Sequence, residues 1–279
     1  MAWKPMGAAE DFHDTLYPGV PVWMDQELTI WFERNFDVAE LVGLGRMWDS
    51  ASRNPKPITP SLHYGYPRMR RDHTELSIIR FLDYIVHIHG EEAEDSGLGF
   101  EEERRMEQLV SLLERCGSAW KLGTRDGYWG LEDRVPEGVQ EAADHVITTT
   151  GSAGALLSEA WHAAFGVNPD PEEAYEKAIK AVEEAGAQLV EPNNKKATLA
   201  STLGEMRNSG KWTVEIVDKK GDHYTDLVYD MIDALWNGQP SRHGANGYRK
   251  PTQGEAEAAV MLAVPLVQWF HSGAVERRA

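Results

Sequence analysis

Long segments with apolar residues every three to four positions, each opened by a helix-start signal, leave this chain little choice but a helical fold. Asp170-Pro171-Glu172-Glu173 supplies a cap, a proline at the first helical position and acids in the first turn. Behind it Ala174, Ala178, Ala181, Val182 and Ala185 share one face. Such small side chains let a neighbouring helix approach closely. Thr252-Gln253-Gly254-Glu255 has the pattern of a capping box and opens a second segment, with Ala259, Ala263, Leu266, Val267 and Phe270 on one side. Pro265 lies inside that segment and is expected to kink or divide it. Leu157, Ala160, Trp161, Ala164 and Phe165 form a third face, stopped by Gly166-Val167-Asn168-Pro169. Shorter helices are expected over 198–207 and 226–235, and an extended stretch over 212–217.

The first half is less regular. Leu28, Trp31, Phe32, Phe36, Ala39 and Val42 repeat at helical spacing and predict one helix over 24–47. Three prolines in 54–60 cannot continue it and imply a linker or an ordered surface loop. A second helix is expected over 72–89, with Asp72 as its cap and Glu75 three residues later. The acidic run 91–103 reads as a loop leading into a helix that ends near Cys116. Asp126-Gly127, between two apolar-aromatic runs, signals a short hairpin. Another helix is expected over 139–150.

A length of 279 residues favours two domains. The small polar run Thr148-Thr149-Thr150-Gly151-Ser152 is the expected boundary, dividing an acidic helical domain (1–150) from a helical bundle with minor β structure (151–279). With 42% hydrophobic residues the chain has enough apolar material for a sizeable core. No apolar run approaches the ~20 residues that span a bilayer. No apolar leader follows Met1, and Cys116 is the single cysteine, so the expected location is the cytoplasm, with no membrane association. The net charge is −17 and neither half is basic, which argues against broad, sequence-independent nucleic-acid binding while leaving room for a small basic cleft.

Few residue sets carry chemistry. His87-Ile88-His89 lacks the four-residue spacing with which a helix aims two imidazoles at one metal, so no metal or cofactor is expected. Cys116 has no nucleophile's partner nearby in sequence and reads as a buried, inert thiol. No phosphate-cradling glycine-rich motif is present. The sharpest candidate is Ser241-Arg242-His243-Gly244, a guanidinium and an imidazole side by side in a polar connection before the last helix. Arginine binds phosphate, and histidine exchanges protons near neutral pH. Asn237, Arg249 and Lys250 flank the pair and are candidate RNA contacts. The competing reading is an ordinary connector that caps and turns the chain.

Three pieces together resemble the helical C-terminal domain of bacterial abortive-infection-like proteins of the HEPN group. They are Ala160-Trp161 with Asn168-Pro169-Asp170-Pro171-Glu172-Glu173-Ala174-Tyr175; Ala178-Ile179-Lys180-Ala181-Val182-Glu183 with Pro192-Asn193-Asn194 and Ala197-Thr198-Leu199; and Ser241-Arg242-His243-Gly244 with Glu255-Ala256-Glu257-Ala258-Ala259-Val260. The resemblance covers about residues 150–275 and nothing in the first half. It implies a small helical bundle, a homodimer, a role in stress or phage defence, and metal-independent RNA cleavage. There the arginine would hold the scissile phosphate, and the histidine would act as acid or base or position the 2′-hydroxyl. That group separates its arginine from the histidine by four to six intervening residues. Here Trp236-Asn237-Gly238 holds none, and Arg242 is adjacent to His243 instead. His243 thus matches by position and Arg242 by residue type. The alternative from another class is a noncatalytic adapter: a degenerate bundle whose acidic first half binds a protein partner.

Overall fold

The computed structural model describes residues 15–96, 100–125, 128–210, 212–217, 219–220, 224, 226–239 and 249–277. The protein is mainly α-helical, with two small two-stranded sheets among the described residues. Contacts divide the chain into two compact units, one ending at Arg134 and one starting at Val135.

In the first unit, α1 (Val22–Asn35) and α2 (Val38–Ser52) replace the single helix expected over 24–47. The break is local chemistry. Phe36 is extended, and the Asp37 side chain accepts from Glu40 N at 2.8 Å, starting a new helix. The apolar repeat survives because Phe36 still turns inward, 5.3 Å from Trp31 between ring centroids. Phe32 stacks on Tyr66 at 4.8 Å and lies 6.5 Å from Phe81, forming an aromatic centre for this unit. Each large side chain fully buried there contributes roughly 1.5–3 kcal/mol.

The proline stretch is ordered, and it leads into a four-residue turn of helix, α3 (Thr59–Leu62). Ile58 and Leu62 are fully buried, and the Asp49 carboxylate accepts from Ile58 N (2.9 Å), Thr59 N (3.1 Å) and Thr59 Oγ1 (2.5 Å). Gly65, at φ +77°, makes the turn into α4 (Tyr66–Asp72). Asp72 is therefore not the cap of the next helix. It ends α4, where it accepts from Arg68 Nε at 2.5 Å, and Thr74 caps α5 (Glu75–Ser96) by accepting from Ser77 N. The acidic stretch is more helical than expected: α5 reaches Ser96, and α6 (Phe100–Arg115) begins at Phe100. The hairpin is where Asp-Gly put it, although residues 126–127 lie outside the described set. β1 (Trp120–Arg125) pairs antiparallel with β2 (Tyr128–Asp133), Leu122 facing Leu131. It docks on α5 at Gly90, where a Cβ would come within 2.7 Å of Trp129 N. Asp83 Oδ1 accepts from Leu131 N at 2.8 Å.

The second unit is a helical bundle, with α8 (Ser152–Phe165), α9 (Pro171–Val190) and α12 (Gln253–Ser272) packed side by side. Ala174, Ala178, Ala181, Ala256 and Ala263 are fully buried in these contacts, as the small-residue faces require. Around them sit α7 (Glu137–Thr149), α10 (Leu199–Ser209) and α11 (Asp226–Asn237). The boundary expected at 150/151 falls inside this unit. Gly151, at φ +60°, is a turn, and Gly154 carries no side chain where a Cβ would come within 2.1 Å of Ile147 O, so α7 closes on α8. A run of small polar residues marks a tight helix–helix corner as readily as a linker. Pro265 does not divide α12; it is half-buried, and packing on both sides of it outlasts one missing rung of the ladder. β3 (Trp212–Val214) finds an unforeseen partner in β4 (Val275–Arg277).

Candidate functional site

The candidate connection leaves α11 at Asn237, which is exposed, and rejoins the bundle before α12. Arg242 and His243 lie outside the described residues, but both ends of the connection are held. At the first end, Gly238 N donates to Ala234 O at 2.9 Å. A Cβ on Gly238 would stand 2.5 Å from that carbonyl and 2.5 Å from Tyr175 Oη, so the chain passes close over α9. Tyr175 is buried, and burial, with Glu255 nearby, pushes its phenol above the ordinary range.

The second end is a knot of charge. Arg249 donates to both Glu255 oxygens, at 2.7 and 2.6 Å. Glu255 also accepts from Thr252 N at 2.8 Å, while Thr252 Oγ1 accepts from Glu255 N, completing the capping box. The Arg249 hydrogen bonds, followed by that from Thr252, hold the Glu255 carboxyl down at about 2, and the same pairing raises Arg249. Lys250 pairs with Glu172 at 3.3 Å, and Gln253 Nε2 reaches Ala164 O at 2.5 Å. One end of the bundle thus gathers the C-terminal end of α8, the starts of α9 and α12, and the end of α11.

Of the flanking residues proposed as RNA contacts, Arg249 and Lys250 are each paired with a first-turn carboxylate, and Asn237 stands exposed at the end of α11. Asp170, Glu172, Glu173, Glu255 and Glu257 share these helix starts, where they favour the helix dipoles and disfavour a second anion. The described side chains here tether a connection; a phosphate would have to displace Glu255 or Glu172 to use either cation.

The remaining sets resolve plainly. α5 is helical through His87 and His89, so the rings leave on different faces; among the described residues no group of His, Cys, Asp and Glu is arranged to hold a metal ion. Cys116 is buried, and burial raises its thiol pKa, which keeps it protonated. Ser61 Oγ lies 3.0 Å from Asp72 Oδ2 and 3.4 Å from His73 Nε2, but this is not a nucleophile array. The carboxylate holds the serine instead of orienting the far ring nitrogen, and Ser61 and His73 are buried. Trp212, flanking a turn in sequence, is a core residue at 4% exposure and offers no stacking face. Residues 46–71 hold a local excess of cations within this acidic chain, around an open groove in the first unit lined by Arg46, His63 and Tyr64.

No protein-family model matches the chain, and neither curated proteins nor solved structures give a significant match. None of the described helices is long and apolar enough to cross a membrane.

Proposed function

We propose that the protein is a defence- or stress-associated helical protein that contacts RNA through the α11–α12 connection, with Arg242 and His243 as a candidate metal-independent endoribonuclease pair. The supporting observation is that this connection is tethered at both ends, by the Gly238–Tyr175 approach and by the Arg249–Glu255 and Lys250–Glu172 pairs, on a bundle whose helices carry the family-like motifs. In this reading His243 takes the 2′-hydroxyl proton, the freed oxygen attacks the adjacent phosphorus to form a 2′,3′-cyclic phosphate, and the 5′-oxygen of the next nucleotide leaves, taking a proton from the imidazolium or from water to become a hydroxyl. Arg242 holds the phosphate oxygens. A homodimer would bring two such pairs together.

The test is incubation of the purified full-length protein with total RNA in excess chelator, beside His243→Ala and Arg242→Ala. Cleavage by the wild type that both variants lose supports the reading. Equal, background-level cleavage in all three removes it. Sedimentation of the wild type reports the dimer independently.

One observation favours a second reading. Because Arg249 and Lys250 are neutralised by Glu255 and Glu172, the described part of the connection presents no unpaired cation. A noncatalytic module that binds a protein partner would have this character. It is the reading left standing if RNA is neither cut nor retained.

A further inference from the structure

The first unit carries a surface that the α11–α12 connection does not explain. Residues 46–71 hold six arginines and lysines against one carboxylate, in a chain of net charge −17. That carboxylate, Asp49, is turned inward, with both oxygens occupied by three donors from Ile58 and Thr59. Of the six cations, Arg70 is engaged with Asp25 and Glu75 and is structural. Lys56 reaches the Asp72 carbonyl, and Arg68 and Arg71 share the Asp72 side chain. Arg46 and Arg53 are exposed, and among the described residues neither guanidinium has a partner.

Arg46 and Ser50 stand one turn apart on α2, and Arg53 follows as the C-cap of that helix. Beside Arg46 opens a groove of about 750 Å³, lined by Arg46, Asp49 and Ser50 of α2 and by Pro57, Pro60, His63 and Tyr64, with Arg53 just outside that lining. Tyr64 is 77% exposed, and the Arg68 guanidinium lies 6.0 Å from its ring centroid. An aromatic ring left this open, backed by a cation, has no core to serve. Arg53 adds a second oddity. It holds φ +48°, the one non-glycine residue with positive φ among those described, where glycine would be favoured.

We propose that this groove is a binding site for single-stranded nucleic acid. A base stacks on Tyr64, the unpartnered guanidiniums of Arg46 and Arg53 take consecutive phosphates, and the two prolines give the sugar a rigid apolar floor. An exposed π-face beside unpaired guanidiniums distinguishes this surface from a plain acidic-peptide site, which has no use for the ring. With the whole molecule strongly acidic, attraction is local and binding falls steeply with salt. The site stands on the first unit alone and does not depend on whether the α11–α12 connection cleaves RNA.

The experiment is fluorescence anisotropy of the full-length protein with a labelled, unstructured oligonucleotide of ~12 residues, as RNA and as DNA, over a salt series. Tyr64→Ala is expected to weaken binding about tenfold and leave the salt slope unchanged, because it removes stacking and no charge. Arg46→Glu with Arg53→Glu is expected to weaken it at least tenfold and flatten the slope by more than one. Arg53→Gly removes one charge while relieving the left-handed backbone, so weaker binding by a variant at least as stable as the wild type separates contact from folding. Lys180→Ala, which removes an exposed cation of α9 in the second unit, is expected to bind as the wild type does. The proposal is overturned if the wild type binds neither oligonucleotide at low salt, if binding is the same in Tyr64→Ala, or if poly-glutamate displaces the oligonucleotide as well as unlabelled RNA does. Loss of binding in Lys180→Ala alone would move the site to the second unit and overturn it equally.

Discussion

Replacing Asp49 separates the two jobs assigned to one corner of the first unit. Its carboxylate satisfies two backbone N–H groups and one hydroxyl at the start of α3, at 2.9, 3.1 and 2.5 Å. Hydrogen bonds to a charged acceptor contribute roughly 1.5–3 kcal/mol each when a partner is removed from a partly buried site, and the losses are not additive. Asp49→Ala strands both N–H groups beside the fully buried Ile58 and is expected to cost about 3 kcal/mol. Asp49→Asn keeps one accepting oxygen but turns an amide donor toward the Thr59 donors, and is expected to cost about half as much, ~1.5 kcal/mol. Urea unfolding followed by tryptophan fluorescence measures both. An Asp49→Ala variant within ~0.5 kcal/mol of the wild type would refute the claim that this carboxylate holds the proline segment in place. The same pair of variants tests the groove with opposite sign. Asp49 is the one carboxylate on its wall, so Asp49→Asn, though less stable, is expected to bind a single-stranded oligonucleotide more tightly at low salt.

Four further outcomes follow from the geometry. Gly154→Ala places a Cβ 2.1 Å from Ile147 O and is expected to destabilise the second unit by ~1–3 kcal/mol. Gly204→Ala, in α10 with open space around it, is expected to stabilise by up to ~1 kcal/mol, and matching signs in denaturant titrations would contradict the close approach of α7 and α8. Burial, with Lys56 nearby, depresses His73 below the ordinary imidazole value of 6.5, so the unfolded chain takes up its proton first. The stability His73 contributes is complete above that value and lost as pH falls toward the folded-state pKa; a His73→Gln variant is expected to flatten this dependence in thermal melts between pH 7 and 5. Thr252→Ala removes half of the capping box that anchors the second end of the candidate connection and is expected to cost about 1 kcal/mol. Faster amide exchange at Glu255 and Ala256 would report it.

What was legible in the sequence was local and periodic. Asp170, Thr198 and Thr252 start their helices by bonds that a four-residue window already contains. The alanine faces of α9 and α12 are buried because only small residues allow that approach. The failures share a cause: the deciding partner lay outside the few residues from which each motif is read. Asp49 reaches ten residues to organise a proline stretch that looks like a linker. Asp72 makes a plausible cap until Arg68, one turn back, claims its carboxylate and leaves the task to Thr74. Gly151 looked like a domain border because only the approach of Ile147 to Gly154 reveals the corner. The same holds for function. Arg249 and Lys250 read as free cations until Glu255 and Glu172 are seen beside them, whereas Arg46 and Arg53, lost in an acidic average, keep their charge unpaired. For recognition of an anion the useful quantity is therefore how many guanidiniums remain unpaired beside an open ring, and on that measure the described residues favour the groove at Tyr64 over the flanks of the α11–α12 connection.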